Sequence, residues 1–161
     1  MDILSRAIEA QREGQRYYAD HARQHAQNAF AAVFAMLAED EKRHEMILQA
    51  SRDNLPYRLE DNSTAKKVSE LFAGLDGLKA EIPAPMEQAD IYFAALEMEK
   101  KSVALLEQLL AACQDPDEKA LYAFLIDQEV QHVQVMEGLY RHINRPNEWV
   151  EAAEFGLREE Y

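Results

Sequence analysis

Two segments of the chain, LAEDEKRH and LIDQEVQH, contain the same Glu-x-x-His pattern, which pairs Glu41 with His44 and Glu129 with His132. Residues three apart lie on one face of a helix, and in both segments the rest of that face is apolar. Burying a carboxylate without a compensating partner is very costly. The fold must therefore provide something in its interior that compensates two glutamates and two histidines.

The two motifs lie 88 residues apart, and the same offset relates other parts of the chain. It aligns AIEAQREGQRYY with ALEMEKKSVALL, so that Gln11 falls opposite Glu99. Each half of the chain then contains one lone polar position followed by one Glu-x-x-His. This pattern is typical of a duplicated helical hairpin.

Apolar periodicity of about 3.6 residues predicts four long helices and no strand. We expect helices at about 2–25, 28–51 and 86–113, and from Pro116 to about Asn144. Residues 52–85 hold most of the prolines, with a short helical pattern that starts at Asn62 and Ser63. The predicted fold is an all-α four-helix bundle in a single domain. It divides into a hairpin 1–51, a long crossover 52–85 between helices 2 and 3, a hairpin 86–144 and a short C-terminal tail 145–161.

The spacing within each hairpin predicts that the polar positions meet. Gln11 and Glu41 each lie 15 residues from the centre of the first loop, and Glu99 and Glu129 each lie 15 residues from the centre of the second. At 1.5 Å per residue, each pair stands roughly 22 Å from its turn. Packed helices would therefore bring these groups to one height in the bundle.

Composition excludes several function classes. The 161 residues carry a formal net charge of −13, which argues against nucleic acid or an anionic membrane as a partner and suits cations. A single cysteine, Cys113, excludes an internal disulfide and a four-cysteine metal site. The N-terminus lacks a signal-peptide pattern and no segment approaches 18 uninterrupted apolar residues. We expect a soluble protein in a reducing, cytoplasmic setting.

A pair of divalent metal ions is the simplest compensation for three acids and two histidines in a bundle core. Oxygen and imidazole ligands suit iron or manganese, and also zinc. One Glu from each of two helices and a Glu-x-x-His from each of the other two is the di-iron and di-manganese arrangement of such bundles. A lone Glu-x-x-His also occurs by chance or as a surface pair, but two in register with Glu99 favour a metal site.

The segments EDEKRH, DQEVQH and EMEK resemble the metal-binding motifs of rubrerythrin-type ferritin-like proteins. The resemblance covers the four long helices. It implies that Glu41 and Glu129 bridge two metal ions, that Glu99 is a terminal carboxylate, and that His44 and His132 each bind one ion.

The resemblance also implies a function. Family members commonly use iron to reduce hydrogen peroxide or dioxygen, with electrons from an external donor such as a separate rubredoxin. Many carry a rubredoxin module with four cysteines, which a chain with only Cys113 lacks. Association of family members through helix faces makes a homodimer an expectation.

One position departs from the family pattern. Gln11 stands where the first-helix glutamate is expected, and Glu9 and Glu13 point about 160° away around the helix. An amide oxygen is a weaker donor to a hard cation than a carboxylate. We therefore predict one strong and one weak metal position, the weak one on His44, or selection of a metal other than iron.

Other residues near these motifs allow both functional and structural interpretations. Tyr18, seven residues after Gln11, is a candidate to hydrogen-bond a ligand or relay an electron, but core packing with a satisfied hydroxyl is the favoured interpretation. His21 and His25 have metal-ligand spacing but also fit a solvated helix end. Trp149 is expected to pack the tail.

Three function classes remain open from the sequence. The first is a redox enzyme whose metal pair reduces peroxide or dioxygen. The second is iron oxidation or storage. The third is a binding or structural bundle whose metal site has decayed through Gln11.

Overall fold

The structure, a computed structural model, describes residues 1–24, 26, 31–74 and 86–144, without the side chains of 72–74, 86–88 and 142–144. Within these residues the secondary structure consists of helices and includes no strand. The helices are α1 (Ile3–Gln24), α2 (Ala31–Arg52), α3 (Thr64–Gly74), α4 (Met86–Ala112) and α5 (Pro116–Asn144). The all-α prediction is confirmed, and the ends of the four long helices agree with the predicted ends within three residues.

Short polar side chains cap the helices at several ends. Asp2 Oδ1 accepts a hydrogen bond of 2.7 Å from the backbone N–H of Ser5 at the start of α1. Asn62 Oδ1 accepts one of 3.1 Å from the N–H of Thr64, where α3 begins. After α2 the chain turns through Asn54, whose φ of 58° is the left-handed conformation that often ends a helix.

Contacts between the long helices fix their directions. On α1 and α4, Tyr17 bonds the carbonyl of Ile91 and Gln11 bonds Ser102, so residue numbers rise on one helix as they fall on the other. The same rule holds for α1 and α2, joined by Arg12–Glu45 and Tyr18–Phe34. It also holds for α2 and α5, joined by His44–Glu129 and Glu41–His132.

Since α1 is antiparallel to both α2 and α4, the helices α2 and α4 run in the same direction. Two long helices that follow one another in the bundle and run in the same direction must be joined by a long connection. Within the described part of this connection, α3 packs against α2 and α5, and Asp61 and Asn62 bond to Gln128 of α5. Residues 75–85 lie outside the described residues, so the full crossover stays a prediction, as do the tail 145–161 with Trp149 and the role of His25.

The core is divided into two apolar layers along the bundle. The first layer is centred on buried aromatic and aliphatic side chains of all four long helices, namely Tyr18, Phe34, Leu37, Tyr92, Val135 and Met136. The second layer is formed by Ile8, Leu48, Leu106, Leu121, Tyr122 and Leu125. Leu4, Gln15, Ile126 and Val133, which lie on the same helix faces, are only partly buried.

A buried polar layer lies between the two apolar layers. On each long helix the polar residue falls between a member of one layer and a member of the other, as Gln11 does between Ile8 and Tyr18. Two apolar layers exclude water from what lies between them, which strengthens electrostatic interactions there. None of the described helices combines the length and apolar character needed to cross a membrane.

Candidate metal centre

Four side chains of the polar layer converge on one point. Glu41 from α2, Glu99 from α4, and Glu129 and His132 from α5 each place one ligand atom so that all four atoms lie within 4.8 Å of one another. Each of these residues is at most 2% exposed. Carboxylate oxygens and an imidazole nitrogen at this separation are a donor set for a divalent cation.

His132 lies at the centre of this cluster. Its Nδ1 is 2.9 Å from Glu41 Oε1, 3.4 Å from Glu99 Oε1 and 3.6 Å from Glu129 Oε2. Its other ring nitrogen, Nε2, is 2.9 Å from Asp40 Oδ2. The ring is therefore held between the carboxylate cluster and a separate outer carboxylate.

His44 occupies the equivalent place on α2 but lies outside the group of four. Its Nδ1 is 2.8 Å from Glu129 Oε1, and its Nε2 is 3.5 Å from Gln128 Oε1. The rings of His44 and His132 stack at 26° with their centroids 5.7 Å apart. The two histidines thus face the same carboxylates from adjacent positions, with His132 more closely surrounded.

The contacts of the two histidines are reciprocal under the 88-residue offset. His132 reaches Glu41 and Asp40 on α2, and His44 reaches Glu129 and Gln128 on α5. The sequence repeat therefore corresponds to paired contacts across the bundle.

Gln11 and Tyr18 extend from α1 toward α4. The Gln11 side-chain Nε2 donates a hydrogen bond of 2.7 Å to Ser102 Oγ, and the residue is fully buried. The Tyr18 hydroxyl donates one of 2.7 Å to Glu99 Oε1. The Tyr18 ring stacks on Phe34 in the first apolar layer, so Tyr18 combines core packing with a hydroxyl that bonds Glu99.

Gly14 allows the cluster to lie close to α1. A Cβ at this position would be 3.1 Å from Glu41 Oε2, a distance that would force the carboxylate to shift. Under the 88-residue offset Gly14 corresponds to Ser102, the residue that bonds Gln11. Both are small residues one helical turn after the lone polar position. This repeated small residue was visible in the sequence and could have indicated the close approach of the helices here.

Three buried oxygens of this layer have no hydrogen-bond partner: Gln11 Oε1, Glu99 Oε2 and Glu129 Oε2. A buried acceptor left unpaired costs about 1–3 kcal/mol, and more when it is charged. A proton shared between carboxyl groups or a bound cation would compensate them. The residues present therefore fit a metal ion, and the amide of Gln11 offers an oxygen rather than a carboxylate to it.

The carboxyl groups have strongly altered affinities for protons. Burial, followed by repulsion from Glu129, raises the pKa of Glu41 to about 7. Burial and the charges of Glu129 and Glu41 raise the pKa of Glu99 well above its usual value. Burial also opposes ionisation of Glu129, but the neighbouring Glu99, His132 and His44 together hold its pKa well below the usual value. Without a cation, the cluster thus retains protons.

The pKa values of both histidines are raised, although burial alone would lower them. Burial lowers the pKa of His132, but the charge of Glu99 and hydrogen bonds to Asp40, Glu129 and Glu41 outweigh it and raise the pKa well above its usual value. The pKa of His44 is also raised against burial, through its hydrogen bond to Glu129. Cations are therefore favoured at this point of the bundle.

A cavity of about 310 Å³ lies beside the His44 half of the cluster. It opens between α2, the 53–63 segment and α5, and both His44 and Gln128 line it together with the apolar side chains of Ile47 and Phe124. His44 is thus the ligand candidate that separates the cluster from an opening to solvent.

For the pair His21 and His25 a solvated helix end was the favoured interpretation over a second metal site, and only His21 of the two lies within the described residues. The ring of His21 packs on Tyr17 with centroids 4.4 Å apart, and His25 lies outside the described part of the chain. Within that part, the group of Glu41, Glu99, Glu129 and His132 is the set of acids and histidines placed to hold a metal ion.

A helical bundle with a buried carboxylate–histidine cluster between its hairpins defines the class of ferritin-like proteins. Comparison with family models gives a match to rubrerythrin over residues 2–140. The chain therefore belongs to the rubrerythrin family. Comparisons with curated proteins and with solved structures give no match.

Proposed function

We propose that this protein is a metal-dependent oxidoreductase that holds two divalent ions, iron in the first place, and reduces peroxide or dioxygen. The observation that supports this proposal is the convergence of three glutamates and two histidines in a water-poor layer of a rubrerythrin-family bundle. Manganese and zinc remain alternatives for the same oxygen and imidazole ligands.

The proposed ligand roles are those that the resemblance to rubrerythrin-type proteins implies. Glu41 and Glu129 would bridge the two ions, Glu99 would be a terminal carboxylate, and His132 and His44 would each bind one ion. Iron held by these residues would supply the electrons for reduction of the O–O bond, and an external donor, such as a separate rubredoxin, would replace them. We place the reaction in a reducing, cytoplasmic compartment, with a homodimer as the proposed assembly.

The two metal positions are proposed to be unequal. The His132 position has Glu41, Glu99 and Glu129 nearby, with their ligand atoms within 4.8 Å of one another and of the histidine. The His44 position has a short contact to Glu129, and the departure from the family pattern at Gln11 would leave it a neutral amide in place of a carboxylate. We therefore assign the stronger ion to His132 and the weaker one to His44.

The protein's own residues prepare this chemistry in three ways. The two apolar layers exclude water, which would otherwise screen the charges in the cluster. Tyr18 bonds Glu99 Oε1 and leaves Oε2 free to face a cation. The cavity beside His44 gives a small oxygen-containing substrate a path to the His44 metal position, the weaker of the two.

Steady-state reduction of hydrogen peroxide by iron-loaded protein, with a chemical reductant or reduced rubredoxin, tests the proposal. We expect many turnovers per protein chain, and a Glu129→Gln variant should lose them. A matched variant, Glu137→Gln, removes a carboxylate from the same helix eight residues later and should retain them. Absence of turnover in protein shown to contain iron would contradict the proposal.

Iron oxidation and storage is the second candidate function, because the net charge of −13 also favours cation uptake. It predicts that many irons accumulate per chain. A decayed site is the third, because Gln11 replaces a carboxylate, and it predicts a melting temperature that does not depend on metal.

A further inference from the structure

Both histidines of the cluster are tied, through one intermediate residue each, to the same short stretch of the connection between α2 and α4. This stretch, Asp61–Thr64, leads into the start of α3. It lies outside the two Glu-x-x-His motifs and has no counterpart in the 88-residue repeat. The contacts form two chains of hydrogen bonds, here called the His132 arm and the His44 arm.

The His132 arm passes through Asp40. Thr64 Oγ1 donates a hydrogen bond of 2.5 Å to Asp40 Oδ2, and the same oxygen is 2.9 Å from His132 Nε2. Thr64 is 5% exposed and Asp40 is fully buried. The hydroxyl therefore fixes the carboxylate that faces the outer nitrogen of His132.

The His44 arm passes through Gln128. Asn62 Nδ2 donates a hydrogen bond to Gln128 Oε1, the atom that lies 3.5 Å from His44 Nε2. Gln128 Nε2 in turn donates one of 2.7 Å to Asp61 Oδ1. These two bonds determine which end of the Gln128 amide faces the histidine.

Asn62 also joins the two arms. Its Oδ1 accepts the backbone N–H of Thr64 at 3.1 Å, so one side chain holds Gln128 with its nitrogen and the start of α3 with its oxygen. Histidines that bind metals are oriented by the partner of their other ring nitrogen, and loss of such a partner typically lowers metal affinity about 10–100-fold.

From these contacts we infer that Thr64 and Asn62 are positioning residues, which orient His132 and His44 through Asp40 and Gln128. The orientation is a property of the protein chain and exists before any ion binds. Its consequence for metal affinity rests on the proposed function.

The direct test is the ring-nitrogen NMR spectrum of metal-free protein labelled with ¹⁵N-histidine. Thr64→Val keeps the shape of the side chain but removes the donor to Asp40, and should shift the ring signals of His132. Thr64→Ser retains the hydroxyl and should restore them. Ring signals of His132 that are the same in Thr64→Val as in the original protein would overturn the inference.

A second variant tests the His44 arm without removing the helix cap. Asn62→Asp retains the oxygen that bonds Thr64 but replaces the donor to Gln128, and should shift the ring signals of His44. Ser63→Ala removes a hydroxyl between the two positioning residues and should leave both rings unchanged. Equal effects of Asn62→Asp and Ser63→Ala on His44 would overturn the assignment of Asn62.

An exchange of charge tests Gln128 itself. The double variant Asp61→Asn/Gln128→Glu preserves a donor–acceptor pair between the two side chains while it moves the carboxylate next to His44. The His44 signals should move toward the pattern of His132, whose outer partner is already a carboxylate. No change in His44 would overturn the His44 arm.

Zinc binding, measured by competition with a chelator, separates this inference from the proposed function. Thr64→Val should lower the affinity of the tighter zinc ion by about 10-fold or more. Unchanged affinity would overturn the link from Thr64 to the site. If the original protein binds no zinc or iron, the proposed function fails, whereas the ring spectra still decide whether Thr64 and Asn62 position the histidines.

Discussion

The Tyr18 hydroxyl on α1 donates a hydrogen bond of 2.7 Å to Glu99 Oε1 on α4, with both groups buried in the polar layer. This bond joins the two hairpins at the height of the cluster. It also satisfies one oxygen of Glu99 while the other remains without a hydrogen-bond partner. Tyr18 therefore orients a carboxylate whose second oxygen is available for a cation.

Replacement of Tyr18 by phenylalanine should destabilise the protein. Loss of the donor leaves a second buried oxygen of Glu99 unsatisfied, which costs about 1–3 kcal/mol in the free energy of unfolding. Chemical denaturation of the metal-free protein measures this loss. Tyr140→Phe, which removes a hydroxyl from the partly buried ring that packs on Phe93, is the control and should cost less; equal losses would contradict the role of Tyr18.

Replacement of Glu99 by glutamine should have opposite effects on metal binding and on metal-free stability. The variant loses a carboxylate from the cluster, and we expect its metal affinity to fall by more than the roughly 10–100-fold typical of an outer partner. Without metal, the substitution replaces a carboxyl group whose ionisation is opposed by burial and by the charge of Glu129. Because the amide cannot ionise, the free energy of unfolding at pH 8 should rise. Paired melting curves with and without metal measure both effects.

Glu107→Gln is the matched control for this prediction. It removes an exposed carboxylate from α4 two helical turns after Glu99, so the net charge changes equally. Metal affinity should stay as in the original protein. Equal loss of affinity in both variants would show that Glu99 acts only through overall charge.

The metal-free protein should become less stable as the pH rises from 5 to 8. Glu41 has a pKa of about 7 in the folded protein against an ordinary value near 4.5, so the folded state binds more protons in this interval and loses its advantage as they dissociate. For Glu41 alone the loss is on the order of 3 kcal/mol. The raised pKa of Glu99 and of His132 act in the same direction.

The lowered pKa of Glu129 and of Asp40 do not reverse this trend. Their stabilising contributions are present above the ordinary carboxyl pKa and are lost only as the pH falls through their folded-state values. Denaturation at several pH values in the presence of a chelator measures the slope. A stability that rises from pH 5 to 8 without metal would contradict the proton assignment of the cluster.

Replacement of Gln11 by glutamate should restore the missing carboxylate. We expect the second equivalent of metal to bind more tightly, because a carboxylate is a stronger donor to a hard cation than an amide. Without metal, a further buried carboxylate should lower stability, most of all at high pH. Elemental analysis of protein purified without added metal, before and after the change, measures the stoichiometry.

Gln24→Glu is the control for added charge, because Gln24 is exposed at the end of the same helix. It should leave the stoichiometry unchanged. If Gln11→Glu also leaves it unchanged, the predicted register of α1 against the cluster is wrong.

Much of this fold was predictable because the apolar period and the 88-residue offset can both be read directly from the sequence. Together they placed Gln11, Glu41, Glu99 and Glu129 at one height, and the structure finds all four buried in the polar layer. The ends of helices were also predictable, since Asn62 acts as the cap at the expected start of α3.

The rotation of each helix and the course of its connections were not predictable in the same way. A spacing rule gives the height of His44 and His132 but not that His132 lies nearer the three carboxylates. Asp40 and Gln128 also obey the offset, yet their bonds to Thr64 and Asn62 depend on where the connection packs. Such contacts join residues distant in sequence, and no local pattern encodes them.

Anomalous scattering from crystals loaded with iron is the most direct measurement of the central claim. We expect a strong peak among Glu41, Glu99, Glu129 and His132, and a weaker peak beside His44. Two fully occupied positions with Gln11 among the ligands would contradict the unequal pair. Absence of any peak in the polar layer would contradict the metal centre itself.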